Sequence, residues 1–238
     1  VISVSSEQIA IEHHFYENVT AHDFLDGLAH GILVKGSYDW VKSPQFDDEL
    51  DPAPPDQKIT VRRLFQHINA FLDCDMVVIS DVGDALFGAI DLVTCHSAQF
   101  LSPAYYTSLG FAVPASIGAQ LSNPGLRPLV LVGDGAFQMT GLELSTAARF
   151  NLNPIVVVLN NGGYGTERPM IDGPFNDVLN WNYANLPELL GTGRGFRVET
   201  EQDLVDALAS ARENTETYSI LDVRLAQNDI SPALQRLT

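Results

Sequence analysis

Two short polar segments of this sequence carry the residue types that bind a divalent cation. Gly-Asp-Gly (133–135) follows the apolar run PLVLV, and Asn-Asn-Gly-Gly (160–163) follows the apolar run PIVVVL. Asp134 offers a hard anionic oxygen, Asn161 offers a hard neutral one, and the carbonyl of Gly163 can turn inward because glycine tolerates unusual backbone angles. With a water and two phosphate oxygens, these three oxygens would complete the octahedron that Mg²⁺ prefers. The pattern therefore predicts a magnesium–phosphate site.

The residues after Asp134 predict where the phosphates would lie. Gly135 and Ala136 place backbone N–H groups at a helix start, where hydrogen bonds and the helix dipole favour a diphosphate. Gly-Asp-Gly alone is also a common turn, but the helix that follows disfavours a hairpin. A dinucleotide-binding fold is disfavoured because Gln138 stands near where a third glycine is needed. The run GTGRG (191–195) precedes a strand-like segment, which favours a helix end or a loop over a phosphate-binding loop.

The elements around these segments alternate between strand and helix from Thr60 onward. The expected elements are the helix TVRRLFQHINAFL, the strands MVVISDV and QFLS, the helix AYYTSLGFAVPASIGAQL, the strand PLVLVGDG, the helix TGLELSTAARF with Thr140 and Glu143 at capping-box spacing, the strand PIVVVLNN, the helix TEQDLVDALASAREN and the strand YSILDVRLA. Continuous Val/Ile/Leu strands indicate an α/β fold, a doubly wound and mostly parallel sheet with helices on both faces. Ligands of such sheets bind beyond the carboxyl ends of the strands, where Asp134 and Asn161 would emerge side by side.

The first part of the chain changes character twice. Residues 1–35 predict a strand (SEQIAIEHHF) and a helix (DFLDGLAHGIL) with a capping-box start at Thr20 and Asp23. One strand and one helix cannot bury their own apolar faces, so we predict the tail of a preceding middle domain. Residues 36–58 hold four prolines and a cluster of acids, which predicts an extended linker. Residues 59–238 are predicted to form the sheet domain.

The composition disfavours several classes of partner and site. A formal net charge of −17 makes nucleic acid and anionic membranes poor partners. No apolar run approaches the roughly 18 residues of a membrane-spanning helix, and the N-terminus has no signal-peptide pattern. It begins with Val rather than Met, which suggests a trimmed fragment. Cys74 and Cys95 form no CxxC motif, which predicts two free thiols in a reducing compartment. The six histidines are scattered, which disfavours a zinc site.

Several motifs together resemble the thiamine diphosphate-dependent 2-oxo acid decarboxylases, the family of pyruvate and indolepyruvate decarboxylases. Gly-Asp-Gly followed about two dozen residues later by Asn-Asn is similar to their diphosphate-binding motif. The stretches SDVGDALF, TSLGFAVPASIGA, NNGGYGTERPMIDGPFNDVLNWNYANLPELL and LAQNDISPALQRLT resemble further segments of the family. The resemblance covers nearly the whole chain and implies the thiamine diphosphate-binding fold.

The resemblance implies a role for each matching residue. Asp134, Asn161 and the carbonyl of Gly163 would hold Mg²⁺. Leu109 would support the bent cofactor, and Glu167 would stand above the thiazolium as a proton donor or relay. The implied cofactor-binding set is Val82, Gly83, Asp84, Thr107, Leu109, Asp134, Gly135, Ala136, Asn161, Gly163, Tyr164 and Thr166, with Asp84 and the Thr107 carbonyl near the aminopyrimidine.

Several of the implied roles have a simpler structural explanation, and two residues differ from the family pattern. Without the family, Leu109 is typical of a core residue, Asp84 of a helix N-cap, and Glu167 of a charge that complements a helix N-terminus. Gly165 stands where the decarboxylases usually carry Thr, which would loosen the loop that holds Glu167. Ala136 stands where they often carry Ser, which would remove a hydroxyl that could bind phosphate.

The resemblance implies a non-oxidative 2-oxo acid decarboxylase of the cytoplasm that forms a homodimer or homotetramer. In the family, the glutamate that activates the cofactor lies in a pyrimidine-binding domain of a neighbouring subunit. This chain resembles only the C-terminal part, so we expect it to bind the cofactor weakly and to be inactive alone. The tail favours indolepyruvate or another bulky or branched 2-oxo acid over pyruvate. The rival functions are an acetolactate synthase-like carboligase, which would not be expected to carry Glu167 with DGPFND, and a non-catalytic cofactor-binding module.

Overall fold

The computed structural model describes residues 2–31, 50, 54 and 56–237, which fall into two compact units. The first unit contains residues 2–31 of this set, and the second contains the rest. Most of the linker predicted at 36–58 lies outside the described residues. All the candidate site residues belong to the second unit.

The first unit is a small antiparallel sheet followed by one helix. Its elements are β1 (Ile2–Val4), β2 (Gln8–Ile11), β3 (His14–Glu17) and α1 (Ala21–His30). The prediction of a single strand over SEQIAIEHHF is wrong, because the chain reverses at Glu12 (φ +55°) and pairs Ile11 with His14. The capping box of Thr20 and Asp23 at the start of α1 is confirmed.

The second unit carries the alternating strands and helices. They are α2 (Val61–Phe71), β4 (Met76–Ser80), α3 (Asp84–Ala89), β5 (Phe100–Leu101), α4 (Ala112–Ser122), β6 (Arg127–Gly133), α5 (Asp134–Thr140), α6 (Leu144–Arg149), β7 (Ile155–Asn160), α7 (Leu186–Leu190), β8 (Arg194–Val198), α8 (Glu201–Glu213), β9 (Ser219–Arg224) and α9 (Pro232–Gln235). In the part of the chain that the structure describes, no helix has both the length and the apolar character needed to cross a bilayer.

The six strands β4–β9 form one parallel sheet in the order β5-β4-β6-β7-β9-β8, which confirms the predicted fold class. Side chains alternate between its faces, so Leu129 and Leu131 join one buried cluster while Val130 and Val132 join the other. Helices α2, α3 and α8 cover the first face, and α4, α5 and α6 cover the second. Because β6 lies between β4 and β7, the carboxyl ends of these three strands meet at one edge of the sheet.

Two predicted helices differ in their bounds. The helix expected over 104–121 begins only at Ala112, because Thr107 (φ +56°) and Gly110 (φ +84°) adopt left-handed angles that end any helix. The helix expected over 140–150 is divided into α5, a 3₁₀ turn and α6. Thr140 makes no side-chain capping hydrogen bond there, and its hydroxyl donates to the carbonyl of Gly110.

Cys74 and Cys95 form a disulfide, so the prediction of two free thiols is wrong. The bond joins the segment before β4 to the segment between α3 and β5, with Cα atoms 5.3 Å apart. Sequence spacing could not reveal this pairing, since the two positions are 21 apart along the chain and are brought together by the turn of the chain through helix α3. The amide of Gln99 donates to the Cys74 carbonyl and supports the same approach.

We predict that replacing both cysteines by serine destabilises the second unit by about 3 kcal/mol, because a crosslink over a loop of this length restricts the unfolded chain by that amount. For a domain of this size the loss corresponds to a melting temperature lower by roughly 6–12 °C. Thermal unfolding of the double variant, followed by circular dichroism without reductant, measures it. Unchanged melting would contradict the disulfide.

Candidate functional site

One cavity of about 330 Å³ lies at the carboxyl ends of β4, β6 and β7. The residues predicted from the sequence to bind cofactor or metal or to act in catalysis all line it: Val82, Gly83, Asp84, Thr107, Leu109, Asp134, Gly135, Ala136, Asn161, Gly163, Tyr164, Thr166 and Glu167. Apolar side chains that the sequence analysis did not assign complete the wall: Val61, Leu86, Phe87, Leu159 and Leu225. The structure therefore brings the predicted residues together, while their individual roles stay predictions.

Asp134 is the most buried charged group of the cavity, with 1% of its surface exposed. Its Oδ1 accepts the amide of Gly135 at 2.8 Å, and its Oδ2 accepts the amide of Gly162 at 2.7 Å. Burial raises the pKa of Asp134 to about 6, with a further rise from Asp222, while the amides of Gly135, Gly162 and Gly163 oppose the rise. A cation beside this carboxyl would favour the ionised form.

The neighbouring strand β7 delivers Asn161 to the same point. Gly133 pairs with Leu159 in the parallel register, so the two residue runs leave the sheet side by side. The Oδ1 of Asn161 accepts the amide of Gly163 at 3.3 Å, which turns the segment after the strand back toward the cavity. The amide hydrogen bond from Gly162 to Asp134 then joins the two strand ends directly.

Glycines occur where backbones or rings approach too closely for a side chain. A Cβ at Gly163 would lie 2.0 Å from the carbonyl oxygen of Asn176, and a Cβ at Gly135 would lie 2.6 Å from the ring of Tyr164. Both are far inside van der Waals contact. Gly165 likewise leaves room for the side-chain amide of Asn161, whose Nδ2 would lie 2.5 Å from a Cβ.

The loop over residues 162–178 carries Glu167 and is closed by its own backbone. The amide of Tyr164 donates to the Asn176 carbonyl at 2.8 Å, and the amide of Val178 donates to the Gly162 carbonyl at 3.2 Å. Inside the loop, Arg168 donates to Asp172 and to Asp177, each at 2.7 Å. Its side chain is only 9% exposed, so these pairs tie the middle of the loop to its returning end.

Within this loop, Glu167 itself is an exposed residue at the cavity wall. Its backbone amide donates to the Tyr164 carbonyl at 3.1 Å, which fixes the turn that presents the side chain. The carboxylate therefore stands where a ligand in the cavity or a second protein surface could reach it.

Asp84 has a carboxylate of which only one oxygen accepts a hydrogen bond from the described residues. Its Oδ2 accepts the amide of Ser231 at 2.9 Å, while its Oδ1 is buried and accepts no hydrogen bond from the described residues. Burial raises the pKa of Asp84, the hydrogen bonds from Ser231 oppose this, and Asp229 adds to it. A buried polar oxygen is normally hydrogen-bonded in a folded protein, which makes this oxygen of Asp84 a candidate acceptor for a ligand.

The residues that hold the site in place were not predicted from the sequence. Asp81 is fully buried and accepts the amides of Gly110 and Ala112. Three further residues hold the site through contacts with other segments. Thr140 donates to the Gly110 carbonyl, Arg168 pairs with Asp177, and the amide of Ser231 donates to Asp84. A signal existed only for Asp81, which directly follows an apolar strand just as Asp134 does.

Comparison with known proteins agrees with this geometry. Residues 81–223 match the model of the thiamine pyrophosphate enzyme C-terminal TPP binding domain, and the chain belongs to this family. It is 33% identical over 201 residues to an alpha-keto-acid decarboxylase of Mycolicibacterium paratuberculosis (83% of this chain, 36% of the relative) and 31% identical over 232 residues to an indole-3-pyruvate decarboxylase of Azospirillum brasilense (96% and 42%).

A solved structure supports the fold assignment. The thiamine diphosphate-dependent 4-hydroxybenzoylformate decarboxylase of Rhodococcus jostii RHA1 matches with a TM-score of 0.66 and 26% identity, over 75% of this chain and 34% of that one. The chain spans about two fifths of the length of the curated relatives it matches. It is thus a C-terminal domain like that of the thiamine diphosphate-dependent 2-oxo acid decarboxylases.

We predict that Gly163→Ala opens the loop at 162–178, because its methyl group would overlap the Asn176 carbonyl. Hydrogen exchange of the Tyr164 and Val178 amides should accelerate by an order of magnitude or more. Gly191→Ala is the matched control, since Gly191 also has a positive φ (+71°) but nothing within 4 Å of its Cβ position. Equal protection of the loop amides in both variants would disprove the proposed close contact.

Proposed function

We propose that this chain is the diphosphate-binding part of a thiamine diphosphate- and Mg²⁺-dependent non-oxidative 2-oxo acid decarboxylase. The observation that carries the proposal is that Asp134, Asn161, Gly163 and Glu167 line the same cavity. The family membership and the names of the relatives support it. Within the family, Glu167 favours the decarboxylase over an acetolactate synthase-like carboligase.

The metal would be held by the Asp134 carboxylate, the side-chain oxygen of Asn161 and the carbonyl of Gly163. One carboxylate and two neutral oxygens form a hard donor set of the kind that Mg²⁺ takes together with phosphate oxygens. The amide of Ala136 would donate to the diphosphate. The amide of Gly135, which donates to the adjacent Asp134 carboxylate in this structure, would also lie beside the diphosphate.

The ring end of the cofactor would lie toward the other wall of the cavity. The unused Oδ1 of Asp84 would accept a hydrogen bond from the aminopyrimidine, and the carbonyl of Thr107 would lie near the same ring. Leu109, which is 38% exposed, would support the cofactor between its two rings. Val82, Gly83, Tyr164 and Thr166 would complete the contacts.

The bound thiazolium supplies an electron sink for the electron pair that remains when CO₂ leaves the substrate. This chain contributes the apolar wall that excludes water and the carboxyl of Glu167, which would donate or relay a proton at the reacting end of the cavity. The buried Asp134 contributes the charge that keeps the metal in place.

A pyrimidine-binding domain from a neighbouring subunit would complete the site in a homodimer or homotetramer. The loops that bring Thr107 and Glu167 to the cavity also present exposed apolar side chains, at Tyr105, Tyr106 and Met170. Exposed apolar groups concentrated around a cavity are typical of a protein interface. Residues 1–35 would belong to a preceding middle domain, 36–58 to a linker and 59–238 to the diphosphate-binding domain.

The substrate would be indolepyruvate or another bulky 2-oxo acid, and the protein would work in the cytoplasm. In that reducing compartment the disulfide between Cys74 and Cys95 would be reduced. Both cysteines are exposed, so reductants reach them.

We predict that Asp134→Asn in the full-length protein weakens binding of Mg²⁺–thiamine diphosphate by on the order of 100-fold, because the only carboxylate ligand in the proposed set becomes neutral. Isothermal titration calorimetry measures the change. Asp206→Asn is the control, since Asp206 is an exposed acid on α8 that contacts Gln202. Wild-type affinity in Asp134→Asn would remove the proposed metal site.

We predict that the full-length protein converts a bulky 2-oxo acid to CO₂ and the aldehyde, whereas residues 1–238 alone release no CO₂ with the same cofactor. The isolated chain would leave half of the cofactor exposed and lack the activating glutamate. Product analysis by gas chromatography separates the rivals. An acetohydroxy acid as the main product would favour the carboligase, and binding without turnover would favour a non-catalytic module.

A further inference from the structure

The loop before α4 presents Leu109 to the cavity in a strained conformation. Thr107 and Gly110 on either side of it adopt φ angles of +56° and +84°. A left-handed angle at a non-glycine residue is unfavourable and persists only where the surroundings enforce it. The contacts that enforce this loop therefore determine where Leu109 lies.

Asp81 holds the loop from the sheet side. Its Oδ1 accepts the amide of Gly110 at 3.1 Å, and its Oδ2 accepts the amide of Ala112 at 2.9 Å. Asp81 is fully buried directly after β4, and its own amide donates to the Leu131 carbonyl of β6 at 2.8 Å. Burial raises the pKa of Asp81, and the amides of Ala112, Gly110 and Val82 oppose that rise.

Thr140 holds the same loop from the opposite side. Its hydroxyl donates to the Gly110 carbonyl at 2.7 Å. Its side chain also lies 3.0 Å from the position that a Cβ of Gly110 would take, so it packs closely on the backbone there. Thr140 is the last residue of α5, the helix that begins at Asp134. One short helix thus links the proposed metal ligand to the loop that carries Leu109.

We propose that Asp81 and Thr140 are positioning residues that clamp Gly110 and so place Leu109 against the ring portion of bound thiamine diphosphate. The proposal rests on the proposed function, because it needs the cofactor in this cavity. Neither residue belongs to the set that would contact the cofactor. In the proposed site, Asp134, Asn161 and Gly163 would bind the diphosphate end of the cofactor. The clamp would position Leu109 alone, at the ring end.

The test compares two ligands in the full-length protein. Thr140→Val removes the hydroxyl without changing the size of the side chain. Its dissociation constant for Mg²⁺–thiamine diphosphate should rise about two- to tenfold, the effect of one hydrogen bond, while that for Mg²⁺ with inorganic diphosphate stays unchanged. In the ligand-free protein, hydrogen exchange of the Gly110 and Ala112 amides should accelerate.

Two controls make the result specific. Thr146→Val removes a hydroxyl that contacts only Glu143 on the surface of α6, and it should change neither affinity nor exchange. Thr140→Ser keeps the hydroxyl and should restore both. If Thr140→Val does not fold, Asp81→Asn is measured in the same way, since it replaces an acceptor with a donor opposite the same amides.

The outcomes distinguish failure of the proposed function from failure of the clamp alone. Failure of the wild-type protein to bind either ligand would overturn the proposed function and the clamp with it. Wild-type binding of both ligands with an unchanged affinity ratio in Thr140→Val would overturn the clamp alone. Equal weakening of both ligands would also overturn it, because the effect would then be a general loss of structure.

Discussion

The hydrogen bond from the Gly162 amide to the Asp134 carboxylate joins the ends of two neighbouring parallel strands, at 2.7 Å. The rest of the candidate site depends on this junction. It fixes the backbone beside Asn161 relative to the acid of the preceding strand, and the loop with Glu167 begins at the same point. A buried carboxylate is costly, so the amides around Asp134 both stabilise it and orient it.

The site is built largely from backbone, which explains its glycines. Peptide groups can approach one another and a ligand only where no side chain intervenes, as at Gly163 beside Asn176. Polar side chains then hold this backbone in place. Arg168 joins the middle of the loop over residues 162–178 to its returning end. Ser231 donates to Oδ2 of Asp84, and Oδ1 accepts no hydrogen bond from the described residues. The C-terminal segment thereby contributes to a cavity whose main elements precede it.

Three features of the candidate site agree with the proposed function. Glu167 is exposed at the cavity wall, one buried oxygen of Asp84 accepts no hydrogen bond within the described part of the chain, and the loop before α4 carries exposed tyrosines. In the proposed function, a second domain would cover this surface and a ligand would fill the cavity. The length comparison fits the same reading, since the matched relatives extend well beyond this chain. The disulfide near the sheet edge is independent of the cavity and bears on stability.

The sequence by itself determined the parallel α/β sheet and the placement of Asp134 and Asn161 at its edge, because apolar strands and the polar residues at their carboxyl ends are local patterns. The other predicted residues of the cavity came from the family resemblance. Asp134 and Asn161 could be paired from one βαβ spacing alone. Only the tertiary structure decided the contacts between distant segments. Asp81 with Gly110, Thr140 with Gly110, Asp84 with Ser231 and Cys74 with Cys95 join residues 21 to 147 positions apart. No local periodicity encodes such pairs, since they form only when the packed sheet brings the segments together.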